Sequence, residues 1–398
     1  MFINRQFLFL WIAQGLSQFA TNVLVFFISF FIYKQTSSNI AVSGALLSFL
    51  IPSFLSSILA GILVGRMGKK WVLLISNILR AMIVFFMFFL ERNIGLIYFF
   101  IALLALTTQF FAPAESAIIP KLVPKNRLIT ANAYFSITSY LTLIVGFLLS
   151  PFLFKLFGYK SLFFIFLLYI ISALSVYLIH GSEKVFYTNF KQPISKLYKN
   201  FSESLIFIVV NFLRDRNINK NIFHVIIIQV VMFVLISLAP GFADKILKIP
   251  VEDLSFLIVF PTAIGFLISS VLISRAKQIN ENLYTKVSLW SLGFVFLFIF
   301  LLSQFKSRVI LNDLNFIALV LFGFFSGAVV ILAYANLQKS NSDEGRAGYF
   351  GILNALVSLA SIIPVMLSGF LSDFFGVDKI IIVVSIVFFF IAFRFDKK

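Results

Sequence analysis

Two ionisable side chains, Arg80 and Glu115, stand inside long apolar stretches of this sequence. Arg80 falls about ten residues into its stretch, roughly 15 Å deep at about 1.5 Å per residue, where an unpaired charge would cost several kcal/mol. It must face protein or water, and it has two readings: a bolt that holds helices together, or a group that handles substrate or protons. Glu115, flanked by Pro113 and Pro120, is the best-placed carboxylate for protonation, because a partly desolvated Glu shifts towards neutral pH. Its structural rival is an ion pair with Arg66, Lys69 or Lys121 at the membrane surface. Both residues are therefore candidates for coupling.

Neutral polar groups supply the other candidate chemistry. Gln14, Gln18, Thr21 and Asn22 fall at helical spacing on an otherwise apolar segment and form one stripe. Such a stripe suits a water-accessible substrate cavity; its rival is hydrogen bonding between helices, worth about 1 kcal/mol or less per contact in lipid. Asn354, Ser358 and Ser361 form a similar row, and Thr107, Thr108 and Gln109 a third. Gln14, Gln18, Thr21, Asn22, Gln109, Asn354 and Ser358 are the expected substrate-binding set. The 55 Phe residues suit lipid contact and packing, with a few lining the cavity of an apolar ligand. His224 is expected to be a solvated interfacial residue.

The elements that must position these groups are membrane helices. The chain has 398 residues, 61% hydrophobic and only 12% charged, with mean hydropathy +1.05, which a soluble domain could not carry without large exposed apolar patches. The apolar runs are continuous and too long for the alternating strands of a β-barrel. Spans are expected at about 6–33, 40–64, 70–90, 94–116, 131–156, 161–180, 222–243, 253–274, 285–304, 315–338, 346–372 and 379–395. The fold class is thus an all-α polytopic membrane protein of about twelve helices in two six-helix bundles. The first run is too long for a signal-peptide core and reads as an uncleaved first helix.

One long polar stretch separates the two sets, giving expected boundaries of 1–180, 181–221 and 222–398. Within it Leu197, Phe201, Leu205, Ile208 and Phe212 recur at helical spacing, as in an amphipathic helix lying on the inner membrane surface. The net charge of +17 sits in the gaps between apolar runs, so it reads as membrane topology rather than as nucleic-acid binding. Placing both termini and the linker in the cytoplasm puts about 22 of the 32 Lys and Arg on that side. Zero Cys excludes disulfides and thiolate chemistry, and His180 and His224 are too far apart to make a metal constellation. No cofactor is implied. The glycine spacing of Gly61 to Lys70 does not fit a phosphate-binding loop, and no clustered nucleophile or base indicates an enzyme.

Gly61-Ile-Leu-Val-Gly-Arg-Met-Gly-Lys-Lys70 is a basic, glycine-punctuated turn between two apolar runs. Gly61, Gly65 and Gly68 allow close approach, while Arg66 and Lys69 mark the cytoplasmic face, so these five are the expected gating residues. The halves also echo each other: Lys155-Leu-Phe-Gly158 resembles Asp373-Phe-Phe-Gly376 at an offset of about 218 residues, which Lys121 and Lys339 share.

This loop resembles that between helices 2 and 3 of the major facilitator superfamily, whose pattern is G-x-L-x-D-R-x-G-R-K. Phe111-Ala-Pro-Ala-Glu-Ser-Ala-Ile-Ile-Pro120, Leu122-Val-Pro124, Ala131-Asn-Ala133, Asp343-Glu-Gly-Arg346 and Gly369-Phe-Leu-Ser-Asp373-Phe-Phe-Gly376 resemble the macrolide-efflux and enterobactin-exporter-like branch. That branch includes a basic residue at the position of Arg80. The resemblance implies a secondary transporter in the inner membrane that exports a small amphipathic or hydrophobic molecule by alternating access, with protons as the candidate coupling ion, lipid as its surroundings and a monomeric state. Three departures matter. The loop's acidic residue is Gly65 here, the branch's frequent aspartate is Thr21, and the Gly-Pro ending of helix 5 is reduced to Gly146-Phe-Leu-Leu-Ser-Pro151. The alternatives are a lysophospholipid flippase and a receptor-like, non-transporting member.

Overall fold

A computed structural model describes residues 4–91, 93–124, 127–180, 216–275, 280–304, 308–339 and 346–396. Among these residues the chain forms twelve α-helices and no strand: α1 (Arg5–Thr36), α2 (Asn39–Arg66), α3 (Lys69–Met87), α4 (Ile94–Leu122), α5 (Leu128–Phe157), α6 (Ser161–Tyr177), α7 (Arg216–Gly241), α8 (Phe260–Arg275), α9 (Glu281–Ser303), α10 (Arg308–Lys339), α11 (Arg346–Phe375) and α12 (Val377–Asp396). The expected all-α polytopic fold is what the chain adopts. Ten stretches are long and apolar enough to cross a membrane, one of them running through both α5 and α6. Asp378, Lys379 and Arg394 keep α12 out of that set, and they sit at its two ends, where lipid meets water.

Helices form throughout because lipid offers backbone groups no partner, so each span must satisfy its own. Five of them nevertheless carry internal prolines: Pro52, Pro113 with Pro120, Pro151, Pro240 and Pro364. Each costs an N–H donor that a membrane bundle tolerates through neighbouring groups. The helix stops are chemical. Gly158 (φ 57°) ends α5 and Gly376 (φ 99°) ends α11, left-handed conformations that favour glycine. These are the two glycines at the ends of the echoing Lys155–Gly158 and Asp373–Gly376 segments, so the repeat read from the sequence terminates two helices in the same way. α7 runs on as a π-helical turn over Phe242–Leu247, closed by left-handed Lys248.

The described residues fall into two compact units. One gathers α1 up to Ile28, α2 from Leu47, α3 to α6 and the start of α11 up to Leu359. In it α3 lies along α4 and α6, over a core that includes Phe7, Leu10, Leu73, Phe111, Ile118 and Val176. α5 closes on α1 through its small residues: Gly146 faces Asn22, and one turn on Ser150 Oγ donates to the Val23 carbonyl at 3.1 Å. The other unit gathers Ser29–Leu46, α7 to α10 and the chain from Ala360 onward. Here α10 packs on α7, α8 and α9, and α9 on α12. The α8–α10 crossing is close because Gly323 meets the Thr262 backbone and Gly265 meets that of Val320.

α7 begins at Arg216, six residues before the expected start at 222. His224 therefore lies more than two turns inside the helix and is buried, not solvated as the sequence suggested. The expected amphipathic helix of the linker lies outside the described residues.

Candidate functional site

The polar stripe of α1 is the organising feature of the first unit. Trp11 Nε1 donates to Thr138 Oγ1 of α5 at 2.7 Å. Gln14, fully buried, donates to Ser139 Oγ at 3.0 Å and the Phe135 carbonyl at 3.4 Å. One turn on, Ser17 meets α3, and Thr21 Oγ1 lies 2.8 Å from Tyr169 Oη of α6 while donating to the Ser17 carbonyl at 2.9 Å. Spacings of three and four residues thus direct one face of α1 towards three different helices.

Arg80 is at the centre of this network. Only 2% of it is exposed. Nη1 donates to Ser17 Oγ at 2.6 Å, and Ser17 Oγ donates in turn to Asn77 Oδ1 at 2.8 Å. Nη2 reaches the Thr107 and Thr108 carbonyls of α4 at 3.5 and 3.4 Å, a long contact at the limit of a useful hydrogen bond. The guanidinium lies over the Phe111 ring at 4.8 Å and near that of Tyr169 at 5.9 Å, distances at which aromatic faces attract a cation. Glu115, one turn beyond Phe111 on α4, is 8% exposed. Among the described residues it joins no ion pair within 4.0 Å. Neither Lys69 nor Lys121 is its counter-ion here, and the Arg66 side chain is outside the described set.

The structure joins Arg80 and Thr21 through Ser17, ties Gln14 separately to α5, and leaves Gln18, Asn22 and Gln109 half-buried. On α11 Asn354 is exposed and Ser358 half-buried. Of the expected gating residues, Gly68 caps α3 in extended conformation and Lys69 Nζ donates to the Met67 carbonyl at 2.8 Å. Gly61, Gly65 and Arg66 belong to α2 by their backbone. Lys70 Nζ donates to the Tyr177 carbonyl at 2.8 Å.

The second unit contains a polar cluster that no sequence pattern assigned. Asp373, near the end of α11, accepts from Ser38 Oγ at 2.6 Å, the Asn39 N–H at 3.0 Å and the Ile40 N–H at 3.1 Å. Its carboxylate thereby caps the N-terminus of α2, where unpaired N–H groups and the helix dipole favour an anion. Lys245 Nζ lies 3.7 Å away. Beside it Tyr33 Oη donates to Asp244 Oδ2 at 2.9 Å, and Ser43 Oγ meets Ser237 Oγ at 2.6 Å. Gly369 faces Ser43 and Gly241 faces Asn39 with no room for a Cβ. These contacts form a clasp that fastens the α1–α2 connection to α7 and α11. Asp373 lies within the Gly369–Gly376 motif, but its partners are some 330 residues away, and no spacing announces them. Asn77, three residues before Arg80, was the detectable signal for the first network.

Helices long and apolar enough to cross a membrane, with buried polar side chains between them, define a class, the polytopic helical membrane proteins. The sequence profile of the Major Facilitator Superfamily matches residues 10–364, and the chain belongs to that superfamily. Two Bacillus subtilis (strain 168) proteins match in part. Uncharacterized MFS-type transporter YjbB is 29% identical over 149 residues, 36% of each chain. Uncharacterized MFS-type transporter YkuC is 24% identical over 164 residues, 40% of this chain and 38% of its own. The match thus spans well under half the length of these relatives. Solved structures share the fold: the nucleoside transporter NupG (TM-score 0.69, 14% identity, 98% of each chain) and an inward-facing, occupied bacterial homologue of the human lysosomal transporter Spinster (0.70, 14%, 98% of this chain and 96% of that one).

Proposed function

We propose that this protein is a secondary transporter that moves a small amphipathic or hydrophobic molecule across the inner membrane by alternating access, in the export direction and with protons as the coupling ion. Membership of the superfamily supports the mechanism, and the clasp around Asp373 is the observation that carries it. Asp373 fastens the N-terminus of α2 by satisfying backbone N–H groups that apolar packing would leave stranded, and it does so with groups that water can replace on release. A carrier needs contacts that close one end and can be released into water without loss, and every group in the clasp is polar enough to be rehydrated.

In this reading both termini and the Gly61–Lys70 loop are cytoplasmic, so the clasp closes the outer end, and the expected substrate-binding and coupling residues serve the path between. Superfamily-typical pairing by the acidic loop residue cannot form because Gly65 replaces it, which leaves the outer clasp as the better-built gate. Proteoliposomes with an imposed proton gradient test the reading. Gradient-dependent movement of a fluorescent amphipath supports it. Binding without movement favours a receptor-like member, and movement of lysophospholipid alone favours a flippase.

A further inference from the structure

We infer that Arg80, with Asn77, is the docking point for an anionic group, a carboxylate or a singly charged sulfonate or phosphate ester, on the molecule carried; this rests on the transport reading and narrows its substrate class. Donors and acceptors do not balance around these two residues. Asn77 and Arg80 lie three residues apart on α3 and so share a face. Ser17 Oγ accepts from Arg80 Nη1, so its own proton is the one given to Asn77 Oδ1. That contact fixes the Asn77 amide and turns its Nδ2 away from Ser17. Both Asn77 Nδ2 and Arg80 Nε are then buried without a hydrogen-bond partner. Everything left over on this cluster of α3 is a donor. The group that complements it must offer acceptors and no protons, a requirement that a deprotonated acid meets with charge-assisted hydrogen bonds.

Charge points the same way. Among the described residues no carboxylate lies within 4.0 Å of the guanidinium, although Glu115 is close enough to act on it through space. Its remaining compensation is the Ser17 hydroxyl, two long carbonyl contacts and the faces of Phe111 and Tyr169. Gln14 Oε1, also buried and unpartnered, is a neutral amide oxygen and adds no counter-charge. A purely structural arginine would be expected to end with its donors saturated. A neutral guest leaves the guanidinium unpaired and a cationic guest is repelled by it.

The test uses the full-length protein, purified in neutral detergent, and three probes that share a ring system but differ in charge: 2-naphthoate, 2-naphthalenemethanol and 2-naphthylmethylammonium. Thermal-shift titration should show 2-naphthoate stabilising the protein at about tenfold lower concentration than either of the others. The preference for the carboxylate over the alcohol should vanish in Arg80→Gln, persist in part in Arg80→Lys and weaken in Asn77→Ala. Equal binding of the three probes by the wild-type protein, binding of none, or an undiminished carboxylate preference in Arg80→Gln overturns the proposal. Should Arg80→Gln not fold, the wild-type rank order and Asn77→Ala decide it. Carboxylate-selective binding with no probe crossing a proteoliposome membrane upholds the site and defeats the transport reading. Movement of the alcohol without carboxylate preference does the reverse.

Discussion

Replacing Asp373 by alanine removes the centre of the clasp at a stroke. The carboxylate holds one hydroxyl and two backbone N–H groups at 2.6–3.1 Å. Loss of a helix N-cap costs about 1 kcal/mol, and a hydrogen bond to a charged group contributes about 1.5–3 kcal/mol. The Lys245 pair adds little, since Lys245 is 42% exposed and Asp373 16%, and exposed pairs are worth about 0–1 kcal/mol. These terms overlap, so the released state should gain about 3 kcal/mol, roughly a hundredfold in population. The chain has no Cys, so a single Ser43→Cys reports on release: Ser43 is 2% exposed and lies against Gly369 in the clasp. Reaction of this thiol with a membrane-impermeant maleimide should speed up by one to two orders of magnitude in Asp373→Ala, and less in Asp373→Asn, which keeps an acceptor. An unchanged labelling rate in a protein with a normal thermal transition would refute the claim that Asp373 holds the α1–α2 connection.

Other outcomes follow from the same contacts. Asp244→Ala, which removes the acceptor of Tyr33 Oη, should raise Ser43→Cys labelling by about fivefold, the equivalent of one hydrogen bond of about 1 kcal/mol. Ser17→Ala strands Arg80 Nη1 and Asn77 Oδ1 together and should destabilise the first unit by about 2–3 kcal/mol, seen as a lower unfolding temperature in detergent; Tyr169→Phe, losing only its contact with Thr21, should cost about 0.6 kcal/mol. Gly323→Ala drives a Cβ into the Thr262 backbone and should cost about 1–3 kcal/mol by overpacking, again read as a lower unfolding temperature. For orientation, Thr36→Cys should react with impermeant maleimide in intact cells and Lys70→Cys only after permeabilisation; the reverse pattern inverts the assigned topology.

The solvent and the fold class follow from the order of residues alone, because continuous apolar runs of span length have one stable solution in lipid, the helix. So do the stops of two helices: the glycines that close Lys155–Gly158 and Asp373–Gly376 adopt positive φ at equivalent places. The stripe on α1 and the isolation of Arg80 were legible for the same reason, since a period of 3.6 residues and a charge in an apolar run are local facts. Partners are not local. That Ser17 links Arg80 to Asn77, that Gln14 bonds to α5, and that Glu115 meets neither Lys69 nor Lys121 depend on how separate helices are rotated and packed. The clasp is the clearest case. Asp373 reads in the sequence as part of a family motif, and it took the folded chain to put its carboxylate on the N-terminus of a helix that begins at Asn39, because nothing near residue 373 can report which distant helix end will be folded against it.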